Sequence, residues 1–374
     1  MNRFFPVFYL LFILFLAGCQ GGREAEGSTD RQIDAYIDYI SEGGEFELPL
    51  SGATGYAAVF LPIYRTPAAS INVTGFLNPG QGFTIIREEG DFWLIEISVP
   101  NSNAVQGWVN NNLCFINLPD IIPSIVYNNT NTYFSIFRSS GFDIPNITGA
   151  ALYEGMDFNV RLGREEYIAP VLYGMAPKVF AAQQAALADG NTLILYEAFR
   201  PSDAHDFLHE HFSNLVEVNP LVLAGITADN FNIRWFLAEA PYNHQRGTAV
   251  DISLGRIDSW EMRTTGVYEY VYITGFTEYP MQTDIHELSV LAAIYDSSVH
   301  ARMTTSWIGQ PMSPRATPGT ILMHRYCTDA GLIPLASEWW HFNDLILTAF
   351  AIEADITGQF FLSRTYSRPP AMVN

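Results

Sequence analysis

His244 and Asp251 stand seven residues apart in Asn243-His-Gln-Arg-Gly-Thr-Ala-Val-Asp251, with Gly247 between them. The glycine lets the chain bend tightly, so an imidazole and a carboxylate from one loop-and-strand segment can converge on one metal ion. A second stretch, Ser337-Glu-Trp-Trp-His-Phe342, adds the imidazole of His341 and, three residues ahead of it, the carboxylate of Glu338. Two histidines and an aspartate leave the fourth corner of a tetrahedral zinc open to water, the layout of a catalytic rather than a structural site. Zinc lowers the pKa of that water to about 7. Glu338 could take the water's proton and pass it to a leaving amine, a contribution of roughly 10²- to 10⁴-fold. Trp339 and Trp340 would keep the surroundings dry and so strengthen each charge interaction. In a third stretch, Glu197-Ala-Phe-Arg200-Pro201, an arginine held by a strand end and a rigid proline suits an oxygen that turns negative when hydroxide attacks a carbonyl.

Each of these residues also has a plainer role. Asp251 could cap a strand or helix, His341 could be a core histidine between tryptophans, and Arg200 could be the salt-bridge partner of Glu197. His205, His209 and His211 cluster on an expected helix, and His205 with His209 would share a face. No carboxylate pattern accompanies them, so a solvated helix face is the expectation rather than a second metal site.

The elements that must position these groups fall into two units. Residues 48–118 look all-β, with short aromatic and β-branched runs at Tyr56–Phe60, Gly82–Ile86 and Phe92–Ile97 separated by Gly, Pro and Asn. Residues 125–374 carry mixed signals. Val179–Leu187 has helical character, Asp189-Gly190 marks a turn, and Leu193–Tyr196 reads as a strand. Ser202 and Asp203 open a helix running through His211. Val250–Leu254 reads as a buried strand that would fix Asp251 on a rigid element.

At the N-terminus an apolar run from Phe4 to Leu16 follows Arg3, with the length of a signal-peptide core. Leu16-Ala-Gly-Cys19 resembles the bacterial lipobox, which implies residues 1–18 as a lipoprotein signal, lipidation at Cys19 and an exported, membrane-anchored protein. Residues 19–47 are expected to be a polar, Gly-rich tether, with one short helix around Ile33–Ile40. With Cys19 set apart, Cys114 and Cys327 either pair or stay as buried free thiols, the latter being the plainer reading. No Cys-x-x-Cys occurs, which excludes a thiolate zinc site. The 374 residues are 48% hydrophobic and 16% charged, so they can bury a core. With 39 acidic against 19 basic residues, the net charge of -20 argues against nucleic acid or an anionic membrane surface as partner.

His-x-x-Gly-x-Ala-x-Asp, followed about ninety residues later by Glu-x-x-His, resembles the zinc D-Ala-D-Ala peptidases. The upstream Phe-Arg-Pro and the Glu-Trp-Trp-His form are similar to the VanX-like D-alanyl-D-alanine dipeptidases in particular. That resemblance, over about residues 130–345, implies an α+β fold with a small antiparallel sheet carrying one zinc per chain, of the Hedgehog/DD-peptidase type. It implies His244, Asp251 and His341 as ligands, Glu338 as base and Arg200 as transition-state stabiliser. The expected reaction is hydrolysis of D-Ala-D-Ala or a related short D-amino-acid peptide; the alternative is a D,D- or L,D-carboxypeptidase or endopeptidase on peptidoglycan stem peptides. A third possibility is a wall-binding lipoprotein without activity. The sequence departs from the family at two places. Tyr242 stands where a serine is usual. In Met281-Gln-Thr-Asp-Ile-His-Glu-Leu288, His286, with Asp284 and Glu287 nearby, stands where an acid binds the substrate's amino group. Upstream, Ile63-Tyr-Arg-Thr-Pro67, Asn78-Pro-Gly80, Trp93 and Gly107-Trp-Val109 resemble a bacterial SH3-like barrel. Such a module implies either contact with the cell wall or a spacer that binds nothing.

Overall fold

The computed structural model describes residues 46–68, 72–98, 103–239, 241–299 and 303–370. The signal segment, Cys19 and the short helix expected around residues 33–40 lie outside these residues. Among the described residues no helix is long and apolar enough to cross a membrane.

Alternation of apolar and polar side chains produces the first sheet. In β5 (Phe92–Ile97) Trp93 and Ile95 point inward, and β4 (Gly82–Glu89) opposes them with Phe83 and Ile85. The two strands are joined by Gly90-Asp91, where Gly90 has φ +57°, as the tight turns that match strand twist require. Together with β1 (Thr54–Ala57), β2 (Leu61–Tyr64), β3 (Val73–Leu77), β6 (Val105–Asn110) and β7 (Cys114–Asn117) they form an antiparallel sheet. The order is β13-β7-β1-β4-β5-β6-β2-β3. The all-β expectation for this stretch holds, but its eighth strand, β13 (Pro170–Leu172), comes from the second unit, and no pairing among the described residues links β3 back to β13.

Along the chain β7 is followed by β8 (Val126–Tyr127) and two small hairpins, β9 (Arg138–Ser139) with β10 (Phe142–Asp143) and β11 (Met156–Asn159) with β12 (Arg164–Tyr167). The second large sheet has the order β17-β18-β15-β14-β8, with β16 also on β15. Its strands are β14 (Asn191–Glu197), β15 (Ala249–Thr265), β16 (Tyr268–Glu278), β17 (Ile333–Leu335) and β18 (Glu338–Asn343). Among the described strands of this sheet only β8 joins in parallel. The molecule is therefore α+β with predominantly antiparallel sheets.

The helix Ala176–Ala188 buries Val179, Ala182 and Ala186, and packs on β14 and on the helix Pro318–Asp329. It starts with a proline in its first turn, which is pre-set for helical φ, and stops before Gly190 at φ +73°. The helix beginning at Ser202 runs on to Val218. One apolar core runs through both sheets, from Ile85 and Trp93 to Leu193, Ile252 and Trp340. Cys114 and Cys327 are both buried and free. Phe46 and Glu47, at the end of the expected tether, are buried in this fold.

Candidate metal centre

Sheet register brings the carboxylates and imidazoles together. Asp251 on β15 lies directly opposite Glu197 on β14 and His341 on β18, so the three side chains are cross-strand neighbours. A bulge between Leu195 and Glu197 re-aims the end of β14. On β18 the pairing with β17 jumps from Pro334↔Phe342 to Leu335↔Glu338. That irregularity breaks strict alternation, so Glu338 and His341, three residues apart, border the same cavity.

His244 comes from the loop just before β15. Gly247 turns that loop with φ +65°, and an added Cβ there would meet Phe115 at 2.4 Å and the Leu172 backbone nitrogen at 2.7 Å. The loop is tied down on both sides: Leu172 N donates to Gly247 O at 2.8 Å, and Thr248 N to Asn243 O at 2.9 Å. The glycine in the motif thus serves both the turn and a close approach to the first sheet.

All three predicted ligands are buried, and one donor atom from each lies within 4.8 Å of the others. Asp251 Oδ1 is 3.0 Å from His341 Nδ1 and 3.3 Å from His244 Nε2, and the two ring nitrogens are 3.1 Å apart. The outer nitrogens fix the tautomers. His244 Nδ1 faces Ala198 O at 2.6 Å and His341 Nε2 faces Asn343 Oδ1 at 2.9 Å. Both partners only accept, so the outer nitrogens carry hydrogen and the inner ones of neutral rings present bare lone pairs. Burial pushes the His341 pKa down, against the pull of Asp251. Burial alone would raise the Asp251 carboxyl; the surrounding rings of His244, His286 and His341 hold it well below the usual range. Two lone pairs and a carboxylate oxygen aimed at one point repel one another until a cation sits among them. Two imidazole nitrogens and one carboxylate oxygen are a donor set that suits zinc.

Behind the ligands is a second layer. Asp251 Oδ2 accepts from His286 Nε2 at 3.1 Å. His286 is fully enclosed, stacks on Phe137 with ring centres 4.1 Å apart, and has φ +63°. It lies beneath the carboxylate and is not on the cavity wall. Glu197, Asp251 and His286 form a second cluster of possible ligands, but the Arg200 guanidinium contacts Glu197 Oε2 and lies 3.8 Å from Asp251 Oδ2, supplying positive charge there itself. Arg200 has the plainer role foreseen for it, pairing with Glu197 through Nε and Nη2, and it also reaches the cavity. Burial opposes ionisation of Glu197, yet Arg200 holds its pKa low, and Asn131 and Tyr153 donate to its other oxygen.

The cavity has a volume of about 310 Å³ and is walled by Arg200, Tyr242, Glu338 and Trp340 beside the three ligands. Glu338 Oε2 is 3.7 Å from His341 Nδ1; burial, then the charge of Asp251, raises its pKa well above the carboxylate range. Of the two tryptophans, only Trp340 faces this cavity. Trp339 borders a separate cavity of about 790 Å³ and donates to Thr283 Oγ1 at 2.9 Å. Asp284 is exposed at that second cavity, away from the ligands, and Glu287 accepts from the backbone of Ser140 and Gly141.

His205 corrects the solvated-face expectation. It is 3% exposed, accepts from Arg200 Nη1 at 3.1 Å and donates to Ala238 O at 2.6 Å. Burial, then Arg200, lowers its pKa to about 3, so the ring is neutral. Its spacing to Leu208 and Phe212, three and seven residues on, is the apolar stripe of the helix, and that signal could have revealed it. Asn343 and Tyr153 carried no motif. They gain meaning only once the strands are paired.

The chain is similar to a D-alanyl-D-alanine dipeptidase. The relative is the enzyme of that name from Escherichia coli (strain K12), 25% identical over 210 residues, which is 56% of this chain and 79% of the relative. No family model matches the chain. The likeness is distant, and it agrees with the α+β fold and with a cluster of His and Asp side chains able to hold an ion.

Proposed function

We propose that this protein is a zinc-dependent peptidase that hydrolyses D-Ala-D-Ala or a related short D-amino-acid peptide in cell-wall metabolism. The observation that carries the reading is the convergence of His244 Nε2, His341 Nδ1 and Asp251 Oδ1, with both outer ring nitrogens committed as donors. The distant likeness to a dipeptidase supports the same reaction class. Export and lipid anchoring at Cys19 belong to the proposal on the strength of the Leu-Ala-Gly-Cys motif.

A divalent ion held by these three atoms supplies a Lewis acid that makes water more acidic and polarises a carbonyl. The residues around it do the rest. Glu338, at the cavity wall, accepts the proton of the attacking water and returns it to the departing amine nitrogen. Arg200 has five N–H groups, of which three are taken by Glu197 and His205. Those remaining are available to an oxygen that becomes negative, and the buried Glu197 pair holds them in place without reorganisation. Trp340 and Phe137 exclude bulk water, so these charges act at low dielectric. The metal content of purified protein tests the ligand set. The parent is expected to hold one zinc per chain and His244→Ala none; equal zinc in both would refute the assignment.

A further inference from the structure

The charged groups on the cavity wall are unevenly committed. Its carboxylates are Asp251 and Glu338. Asp251 Oδ1 faces His244 and His341 while Oδ2 faces His286, and Glu338 is the proposed base. Glu197 is off the wall, with its oxygens occupied by Arg200, Asn131 and Tyr153. The wall's cations are Arg200, engaged with Glu197, and Arg234. Arg234 is exposed, and among the described residues no carboxylate lies within ion-pair distance of it.

The turn that presents Arg234 is fixed. Asn232 Oδ1 accepts from Arg234 N at 3.1 Å, Ser337 Oγ donates to Trp235 O at 2.5 Å, and His205 Nε2 donates to Ala238 O at 2.6 Å. Phe236 is buried against Phe231. The guanidinium is therefore mounted on a segment moored to the strand of Glu338 and to the helix beside Arg200. A planar, permanently charged fork in such a setting recognises a carboxylate.

A free dipeptide carries an ammonium as well as a carboxylate. Among the described residues of this cavity the ammonium finds no uncommitted acid and two guanidinium groups, and an unpaired buried charge is costly. An N-acylated peptide has no such group. We infer, resting on the peptidase reading, that the cavity takes a peptide blocked or extended on its N-terminal side and ending in a free carboxylate that Arg234 binds. The reaction is then that of a carboxypeptidase. Water oxygen adds to the last peptide carbonyl, the C–N bond breaks, and the amine leaves with the proton carried by Glu338. The products are a shortened acyl peptide and one free amino acid.

The test compares N-acetyl-D-Ala-D-Ala, free D-Ala-D-Ala and N-acetyl-D-Ala-D-Ala amide as substrates of the zinc-loaded full chain. Their binding to Glu338→Gln protein, read by calorimetry, supplies an affinity independent of turnover. The acetylated acid is expected to exceed the free dipeptide by about tenfold or more in kcat/KM, since an unmatched charge costs more than one hydrogen bond. Arg234→Gln, made in the Glu338→Gln background, is expected to weaken the acetylated acid about tenfold and leave the amide almost unchanged, as loss of a charge-assisted contact requires. Free dipeptide turned over as well as the acetylated one would overturn the inference while leaving the peptidase reading intact. So would an Arg234→Gln effect equal on acid and amide. No hydrolysis of any of the three removes both.

Discussion

Asp120 and Asp251 are two aspartates at nearly the same burial, 0% and 2% exposed, serving different sheets. Asp120 braces the first: its oxygens accept from Thr54 N at 2.8 Å and Asn159 Nδ2 at 2.6 Å, both of them donors that need nothing further. Asp251 in the second sheet turns Oδ1 toward two imidazole nitrogens whose hydrogens are on the far side of their rings. The first arrangement is complete. The second is an excess of acceptors that only a cation balances. Burial does not separate scaffold from site here; the balance of donors and acceptors does.

Exchanging each carboxylate for an amide breaks the comparison most directly. Asp251→Asn is expected to abolish stoichiometric zinc binding and turnover while the chain still folds. Asp120→Asn sets an NH₂ group against a donor, so it is expected to cost about 1–3 kcal/mol of stability and to keep one zinc per chain. Urea unfolding and metal analysis of both variants give the answer. Zinc lost equally from both would mean that the first sheet is part of the site.

Glu338→Gln separates holding the ion from using it. The side chain keeps its shape and loses its capacity to take a proton, so kcat is expected to fall by roughly 10²- to 10⁴-fold, with zinc content unchanged. A variant retaining more than a tenth of parental kcat would assign the base to another group.

Glu47 tests the seam between the two regions. It is buried, accepting from Ser124 and from Gln184 on the helix Ala176–Ala188, and desolvation outweighs these bonds to raise its pKa from 4.5 to about 7. The folded state thus keeps a proton that the unfolded chain releases between those values. Stability from this group is complete below pH 4.5 and falls as pH rises to about 7, by roughly 3 kcal/mol in all. Glu47→Gln should flatten that part of the curve when urea midpoints are followed from pH 4.5 to 8. Parallel curves for parent and variant would show that Glu47 is not the titrating group.

How much could be read beforehand follows the same division. His244, Asp251, Glu338 and His341 were legible because the chemistry sits in two short motifs, and Gly247 marked the turn. The strands Gly82–Ile86, Phe92–Ile97 and Leu193–Tyr196 were legible because period and composition act locally. The recruitment of Pro170–Leu172 into the first sheet was not, since three residues hold no periodicity and their pairing is decided by the distant β7. The partners of His205 and His286, Ala238 and Asp251, lie more than thirty residues away, although the spacing of His205 to Leu208 and Phe212 does mark it as buried. Arg234 carries no motif, and its meaning depends on which cations already have partners.

His286 offers the finest test of the contrast between a complete and an incomplete aspartate. Its Nε2 hydrogen bonds Asp251 Oδ2, leaving Oδ1 as the oxygen that faces the two imidazoles. Among the described residues its other nitrogen, buried, meets no partner, so the ring's polar contribution is that one bond. The ring stacks on Phe137, with planes 10° apart, and meets Tyr196 and Trp340 edge-on. His286→Phe keeps an aromatic ring against Phe137 and deletes the donor. Groups that orient a metal's ligands commonly contribute 10- to 100-fold in affinity, so zinc is expected to bind weaker by about that factor. The melting temperature of the metal-free protein should change little. A zinc Kd equal to the parent's would mean that strand register alone, with Asp251 set opposite His341, orients the carboxylate.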